Sequence, residues 1–183
     1  VDSGIPFLSV KDIRNHKVNF EHSKYITKED HQKLIKRCNP EIDDVLLVKT
    51  GATIGRTAVI QTKQDFSLFV SVALIKPLHE IINPKFLSLF LEFHVNQINK
   101  DSFLKGGVIK NYHLEDLRGI NIAIPPIEEQ KRVIQILEKK FTEWEIHKNQ
   151  FEIIQEQHDS IKQQLSNIQS SILDIIFSGK LIQ

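Results

Sequence analysis

Ala123-Ile-Pro-Pro-Ile-Glu-Glu-Gln-Lys-Arg132 divides this chain in two. Before it lie short β-like runs and turns; after it, from Ile127 to Ser178, there is neither glycine nor proline. Glu128 and Glu129 then fall in the first turn of a helix, where carboxylates favour the positive end of the macrodipole. A helix filling the run would be about 75 Å long at roughly 1.5 Å per residue. One bare helix cannot bury its own apolar stripe, so it needs a partner along its length.

Counting heptads gives that stripe its members. With Phe151 as position a, the a/d series from Gln130 to Ile175 has 14 positions, of which ten are apolar. These are Val133, Leu137, Trp144, Phe151, Ile154, Ile161, Leu165, Ile168, Ile172 and Ile175. The exceptions are Gln130, Lys140, His147 and His158. Spacing of 3 and 4 held over this length predicts a coiled-coil seam rather than a core helix. The polar breaks sit mostly in the first half, which is expected to pair less tightly or to pack against the body. His147 and His158 read as register-setting breaks. Gly179 is placed as the cap that ends the helix.

The chain is 183 residues, enough for one domain plus an appendage. No apolar run reaches the length of a membrane span, and the start lacks the basic and apolar regions of a signal peptide. No methionine occurs anywhere, so a fragment clipped from a longer protein is expected. Cys38 is the only cysteine, which excludes an internal disulfide and fits a reducing, cytoplasmic setting. Residues 1–125 hold 17 Lys and Arg against 14 Asp and Glu, while residues 126–183 hold 7 against 9. A net of +3 against −2 permits nucleic-acid binding by the first part but argues against a strongly basic, non-specific binder.

The first 125 residues read as an α+β body. Pro6 to Val10 is a strand; Thr27-Lys-Glu-Asp30 has capping-box spacing and opens a helix to about Arg37, which Asn39-Pro40 stops. Asp44 to Lys49 is a strand, turned by Thr50-Gly-Ala-Thr-Ile-Gly55 into a second strand at Ala58 to Ile60. Ser67 to Ile75 is expected as one strand buried on both faces. Asn83-Pro84 starts a helix from Lys85 to about Gln97, with Phe86, Leu89, Phe90 and Phe93 as its apolar face. Asp101 to Tyr112 is a polar loop around Gly106-Gly107, and Gly119 to Ile124 a last strand.

Catalytic motifs are weak. Gly51-Ala-Thr-Ile-Gly55-Arg56-Thr57 has three residues between its glycines, an Arg for the Walker lysine, and a β-like sequel instead of a helix. It reads as a tight turn that displays Lys49, Thr50, Thr53 and Arg56. Glu129-Gln-Lys131 matches part of a nuclease signature, but its acid sits at a helix start rather than on adjacent strands around a metal. The eight histidines show no ligand spacing, and no metal site is expected. Lys105-Gly-Gly-Val-Ile-Lys110-Asn111-Tyr112 suits nucleic acid better: glycines let the backbone approach a groove, Lys and Asn offer phosphate and base-edge contacts, and Tyr can stack or cap.

Taken in order, these segments are similar to one known family. Gly4-Ile-Pro-Phe7, Asp43-Asp-Val-Leu-Leu-Val-Lys-Thr-Gly-Ala-Thr-Ile-Gly55, and Gly106-Gly107 with Lys110-Asn111 resemble a target recognition domain. Ile124-Pro-Pro-Ile-Glu-Glu-Gln130, Ser171-Ile-Leu173 and Phe177-Ser-Gly-Lys-Leu181 resemble the spacer helix that follows it. Together they resemble the specificity (S) subunit of type I restriction-modification systems. The resemblance implies a recognition domain at 1–125 and a long spacer or dimerisation helix at 126–183. It implies double-stranded DNA read in the major groove, and methyltransferase (M) subunits as partners, with restriction (R) subunits where the system has them. It implies a second helix paired antiparallel, and no catalytic centre. S-adenosylmethionine, ATP and Mg²⁺ would serve the partner subunits, and this chain would bind no cofactor.

One recognition domain and one helix amount to half an S subunit. Either the chain is a clipped half, or it is a natural half-subunit that pairs with itself and reads two equal half-sites. The DNA-contacting candidates are Lys49, Thr50, Thr53, Arg56, Lys105, Lys110, Asn111 and Tyr112. The competing reading is a coiled-coil adaptor that binds no DNA.

Overall fold

The computed structural model describes residues 3–104 and 111–177, with side chains described except at 99–104. It contains two compact units, residues 1–134 and 135–183. The first therefore runs past the boundary expected at 125 and takes in the opening turns of the long helix.

Three small sheets build the first unit. Strand β1 (Ile5–Leu8) lies between β4 (Lys24–Ile26), antiparallel, and β7 (Ser67–Leu68), parallel. Strands β2 (Ile13–Arg14) and β3 (Lys17–Val18) form a hairpin whose turn residues, Asn15 and His16, both have positive φ (51° and 58°). That is the geometry that matches a two-residue turn to strand twist. Strand β5 (Val45–Val48) is fully buried and lies between β6 (Thr57–Val59) and β8 (Val72–Ile75), antiparallel to both. Four consecutive apolar residues suit a strand covered on both faces.

One face of β5 joins Leu8, Ile13, Ile60 and Phe66 in the main core. The other meets α2 (Pro84–Leu104), where Val45 packs with Leu87 and Leu91, and Leu47 with Val95 and Tyr112. Two buried carboxylates are satisfied locally, as burial requires. Asp12 accepts from Ser9 N–H at 2.7 Å and from Ser23 Oγ at 3.1 Å. Asp44 accepts from Glu41 N–H at 2.8 Å and pairs with Lys76 at 2.7 Å.

Helix α1 (Lys28–Ile35) starts where Thr27 Oγ1 accepts from Asp30 N–H at 3.1 Å, as the capping spacing predicts. Helix α2 starts at Pro84, with Asn83 Oδ1 accepting from Lys85 N–H at 2.9 Å. It runs to Leu104, into the segment expected as loop. Its buried stripe is Leu87, Ser88, Leu91 and Val95, while Phe93 is exposed. Helix spacing fits both stripes equally; the hydroxyl of Ser88, donating to Thr57 Oγ1 at 2.9 Å, belongs to the buried one.

Two strand expectations are corrected. The apolar run 67–75 breaks at Phe69–Ser71, where Val72 N–H donates to Phe69 O at 3.0 Å, and its halves enter different sheets. Residues 119–124 are not a strand; α3 (Leu114–Arg118) precedes them, and Ile120 and Ile122 pack on the core as irregular chain.

Helix α4 (Ile127–Phe177) is the long helix read from the junction. Its first turns belong to the first unit. Gln130 is fully buried: Oε1 accepts from Asn83 N–H at 2.8 Å, and Nε2 donates to Ile81 O at 2.9 Å and Pro125 O at 2.8 Å. The polar break at this seam position is thus a clamp on two backbone loops. In the second unit the seam positions Trp144, Phe151, Ile154, Ile161, Leu165, Ile168, Ile172 and Ile175 are all exposed. Val133 and Leu137, nearer the domain, are half-buried. Among the described residues no helix is long and apolar enough to cross a membrane.

Candidate nucleic-acid interface

The loop between β5 and β6 is closed at its neck by two hydrogen bonds: Val48 N–H donates to Arg56 O, and Gly55 N–H to Val48 O, both at 2.8 Å. Above the neck the chain turns twice, with Ile54 N–H on Gly51 O and Arg56 N–H on Thr53 O, each at 3.2 Å. The turns need Gly51 (φ 83°) and Gly55 (φ 92°). Gly55 is constrained a second time. A Cβ there would stand 3.2 Å from Val95 Cγ1 and Asn96 Oδ1 of α2, whereas one on Gly51 would meet nothing within 4 Å. The rear of the loop is therefore pressed on α2, and its tip is open.

A second segment meets this loop from far along the chain. Tyr112 N–H donates to Lys49 O at 2.7 Å, and Thr50 and Asn111 form an isolated antiparallel bridge. A third joins them, since Lys49 N–H donates to Ser71 O at 3.0 Å in the turn between β7 and β8. Three loops thus share one edge. Sequence reasoning missed the Phe69–Ser71 turn; its only signal was serine, a weak turn former, inside an apolar run. Val70 stands 71% exposed on it.

Of the eight candidates, Lys49, Thr50, Thr53, Arg56 and Asn111 come together here, with Arg56 and Asn111 exposed and the other three half-buried. Among the described residues no ion pair joins the Lys49 ammonium or the Arg56 guanidinium to a carboxylate. Lys105 and Lys110 lie outside the described residues. Tyr112 is a correction: only 5% exposed, it packs with Leu47, Ala73 and Val95, a core side chain rather than one offered for stacking. Burial first, and the Asp116 carboxylate second, push its phenol above the ordinary value.

The loop's far strand is tied down by a polar chain. Thr57 Oγ1 lies 3.1 Å from both the Ser88 carbonyl and the Glu92 carboxylate. Glu92 in turn pairs with His16 at 3.1 Å, linking α2 to the β2–β3 turn. The hydrogen bond to Glu92 raises the His16 pKa above its ordinary value, partly opposed by burial. The arrangement is a hydrogen-bonded backbone platform that displays two cations, hydroxyls and an amide. These are groups of the kind that suit anions and polar edges, and among the described residues no nucleophile–base pair lies on it.

The family model described as "Type I restriction modification DNA specificity domain" matches residues 2–156. Over 182 residues the chain is 30% identical to the type I restriction enzyme EcoBI specificity subunit of Escherichia coli, covering 99% of this chain and 36% of that protein. Two solved structures share the fold at 18% identity. The HsdS subunit from Thermoanaerobacter tengcongensis has a TM-score of 0.51 over 76% of this chain and 30% of its own. A chain described in work on complex assembly and conformational transition of the type I R-M system has a TM-score of 0.52, over 96% of this chain and 38% of its own. The chain thus spans about a third of the length of the relatives it matches. With 155 of its 183 residues matched by the family model and a loop edge built for polar contact, the chain belongs to the family of type I restriction-modification DNA specificity domains.

Proposed function

We propose that this chain reads one half of a split DNA sequence for a type I restriction-modification complex. Its long helix pairs with a second such helix and positions the methyltransferase subunits, with restriction subunits where the system has them. The observation that carries the reading is the junction of the Lys49–Arg56 loop with Asn111–Tyr112, which gathers polar side chains and two cations on one backbone platform. Lys49 and Arg56 are the phosphate contacts that set register; Thr50, Thr53 and Asn111 are the base-edge readers. The chain carries out no chemistry. Methyl transfer from S-adenosylmethionine, and ATP- and Mg²⁺-dependent cleavage, fall to partner subunits.

The test is selection from a random duplex library at moderate salt, with the chain supplied alongside its methyltransferase subunit. A split motif with two short specific blocks is the expected result, and inverted identical blocks would mark a self-paired half-subunit. The bare apolar stripe of the second unit supports the competing adaptor role. No enrichment from an intact complex would overturn DNA recognition and leave the adaptor standing.

A further inference from the structure

Two neighbours in the turn between β7 and β8 each hold the place that suits the other. Phe69 N–H donates to Leu8 O at 2.8 Å, and Val72 N–H to Phe69 O at 3.0 Å, which leaves Val70 and Ser71 as the central pair of a tight turn. Such positions favour glycine, proline, asparagine, aspartate and serine, and a β-branched apolar residue has no conformational reason to stand there. Yet Val70 is 71% exposed, while Ser71 beside it is buried and its hydroxyl has no hydrogen-bond partner among the described residues. Stability alone would favour the opposite order, with serine in water and valine in the core. Local rules broken without a gain in stability are expected at functional positions. We propose that Val70 is a base reader of the recognition edge, its isopropyl group packing on the C5-methyl group of one thymine in the major groove. The inference deepens the recognition role proposed above and rests on it.

The position of the turn supplies the occupant. Ser71 O accepts from Lys49 N–H at 3.0 Å, and Lys49 O accepts from Tyr112 N–H at 2.7 Å, so the turn is bonded to the backbone that carries Lys49, Thr50 and Asn111. Val70 is one residue from that bond. Base pairs offer donors and acceptors in the major groove, and one apolar group, the methyl of thymine. A valine side chain has neither donor nor acceptor, so that methyl is the feature it can distinguish. Pressed on the amino group of cytosine or the acceptors of guanine, it would strand a polar group instead.

The turn is also held in place. The Phe69 ring meets the Phe7 ring of β1 edge-on, with centroids 5.7 Å apart and planes at 85°. One side of the turn is thus tied to β1 and the other to the Lys49 backbone, with Val70 at the apex between them. A β-branched side chain has little rotamer freedom to lose when it makes a contact. A single exposed valine is ordinary on a protein surface. What sets Val70 apart is the buried, unpaired hydroxyl next to it and the bond that joins its turn to the polar edge.

The test is binding to the duplex recovered by selection, with the chain and its methyltransferase subunit both present. Each thymine of the motif is replaced in turn by uracil, which removes one methyl group and leaves base pairing unchanged. At one position the native complex is expected to weaken about fourfold, the factor that one buried methyl group carries. Val70→Ser, at an exposed site where substitution disturbs folding little, is expected to weaken binding of the thymine duplex to a similar degree and to be indifferent to uracil at that position. Val70→Thr keeps one methyl and should retain part of the dependence. Native binding that no uracil weakens, or a Val70→Ser complex with the full native response, overturns the proposal. So does a loss confined to the grip on the methyltransferase subunit, which would make the turn a protein contact. Failure to enrich any sequence would overturn the recognition reading and this inference with it, whereas specific binding that ignores the methyl groups overturns this inference alone.

Discussion

Two stretches of one helix treat their side chains in opposite ways. Gln130, polar and on the seam, is completely buried, whereas Trp144, two heptads further along and apolar, stands 61% exposed. Burial along α4 follows what the chain places around each turn, not the polarity of the residue. In the first unit, backbone loops close over Gln130 and supply its three partners. In the second, Trp144, Phe151, Ile154, Ile161, Leu165, Ile168 and Ile172 stand exposed along the stripe. The first unit buries its own apolar side chains, while the second leaves most of its seam exposed.

The sharpest way to break this contrast is Gln130→Leu. It strands the Asn83 N–H and the Ile81 and Pro125 carbonyls, which should cost the first unit about 3–5 kcal/mol. Hydrogen exchange of the β5 amides in dilute solution would read it. Trp144→Ala in the same experiment should change the first unit by less than about 0.5 kcal/mol; comparable effects would mean that the two stretches are not independent.

The recognition loop repeats the contrast on a smaller scale, between its supported rear and open tip. Gly55→Ala combines a positive φ with close approach to Val95 and Asn96 and should cost about 2–3 kcal/mol. Gly51→Ala meets only the backbone strain, about 1–2 kcal/mol. Chemical denaturation distinguishes them, and equal losses would show that α2 does not support the loop.

Smaller effects separate the groups displayed on that edge. Lys49→Ala or Arg56→Ala should weaken all duplexes alike and each lower the slope of log affinity against log salt by roughly 0.9. Thr53→Ala or Asn111→Ala should instead cost about 1–3 kcal/mol at a single base position.

The smallest effect concerns His16. Its pKa is raised by Glu92, so the stabilisation is fully present below the unfolded value and is lost as pH rises through the folded one. The pair is partly exposed, which limits it to under about 1 kcal/mol. Stability measured from pH 6 to 9 should fall slightly, and Glu92→Gln should flatten that step.

Where local chemistry decides structure, the sequence was readable. Thr27 and Asn83 cap their helices through bonds to residues two or three positions away, and the glycines at 51 and 55 announce the hairpin of β5 and β6. The glycine- and proline-free run announces α4 in the same way. Tertiary choices were not readable. The run 67–75 carries strand propensity throughout, and only the competition of two sheets for its halves breaks it at Phe69–Ser71. Either stripe of α2 could have been the buried one. Tyr112 has the composition of a stacking residue, and its burial follows from the Lys49–Tyr112 hydrogen bond, which links positions 63 residues apart. The meeting of the 50s loop with Asn111 was invisible for the same reason, although both segments were picked out on their own residue types.

The central claim is that this meeting point reads DNA. Its most direct test is photocrosslinking of a selected duplex, with thymines replaced one at a time by 5-iodouracil, followed by peptide mapping. Crosslinks within residues 49–56 and at Asn111, lost when competitor of the wrong sequence is captured instead, are the predicted result. Specific binding with crosslinks confined to α4, or to faces of the first unit away from that loop, would contradict it.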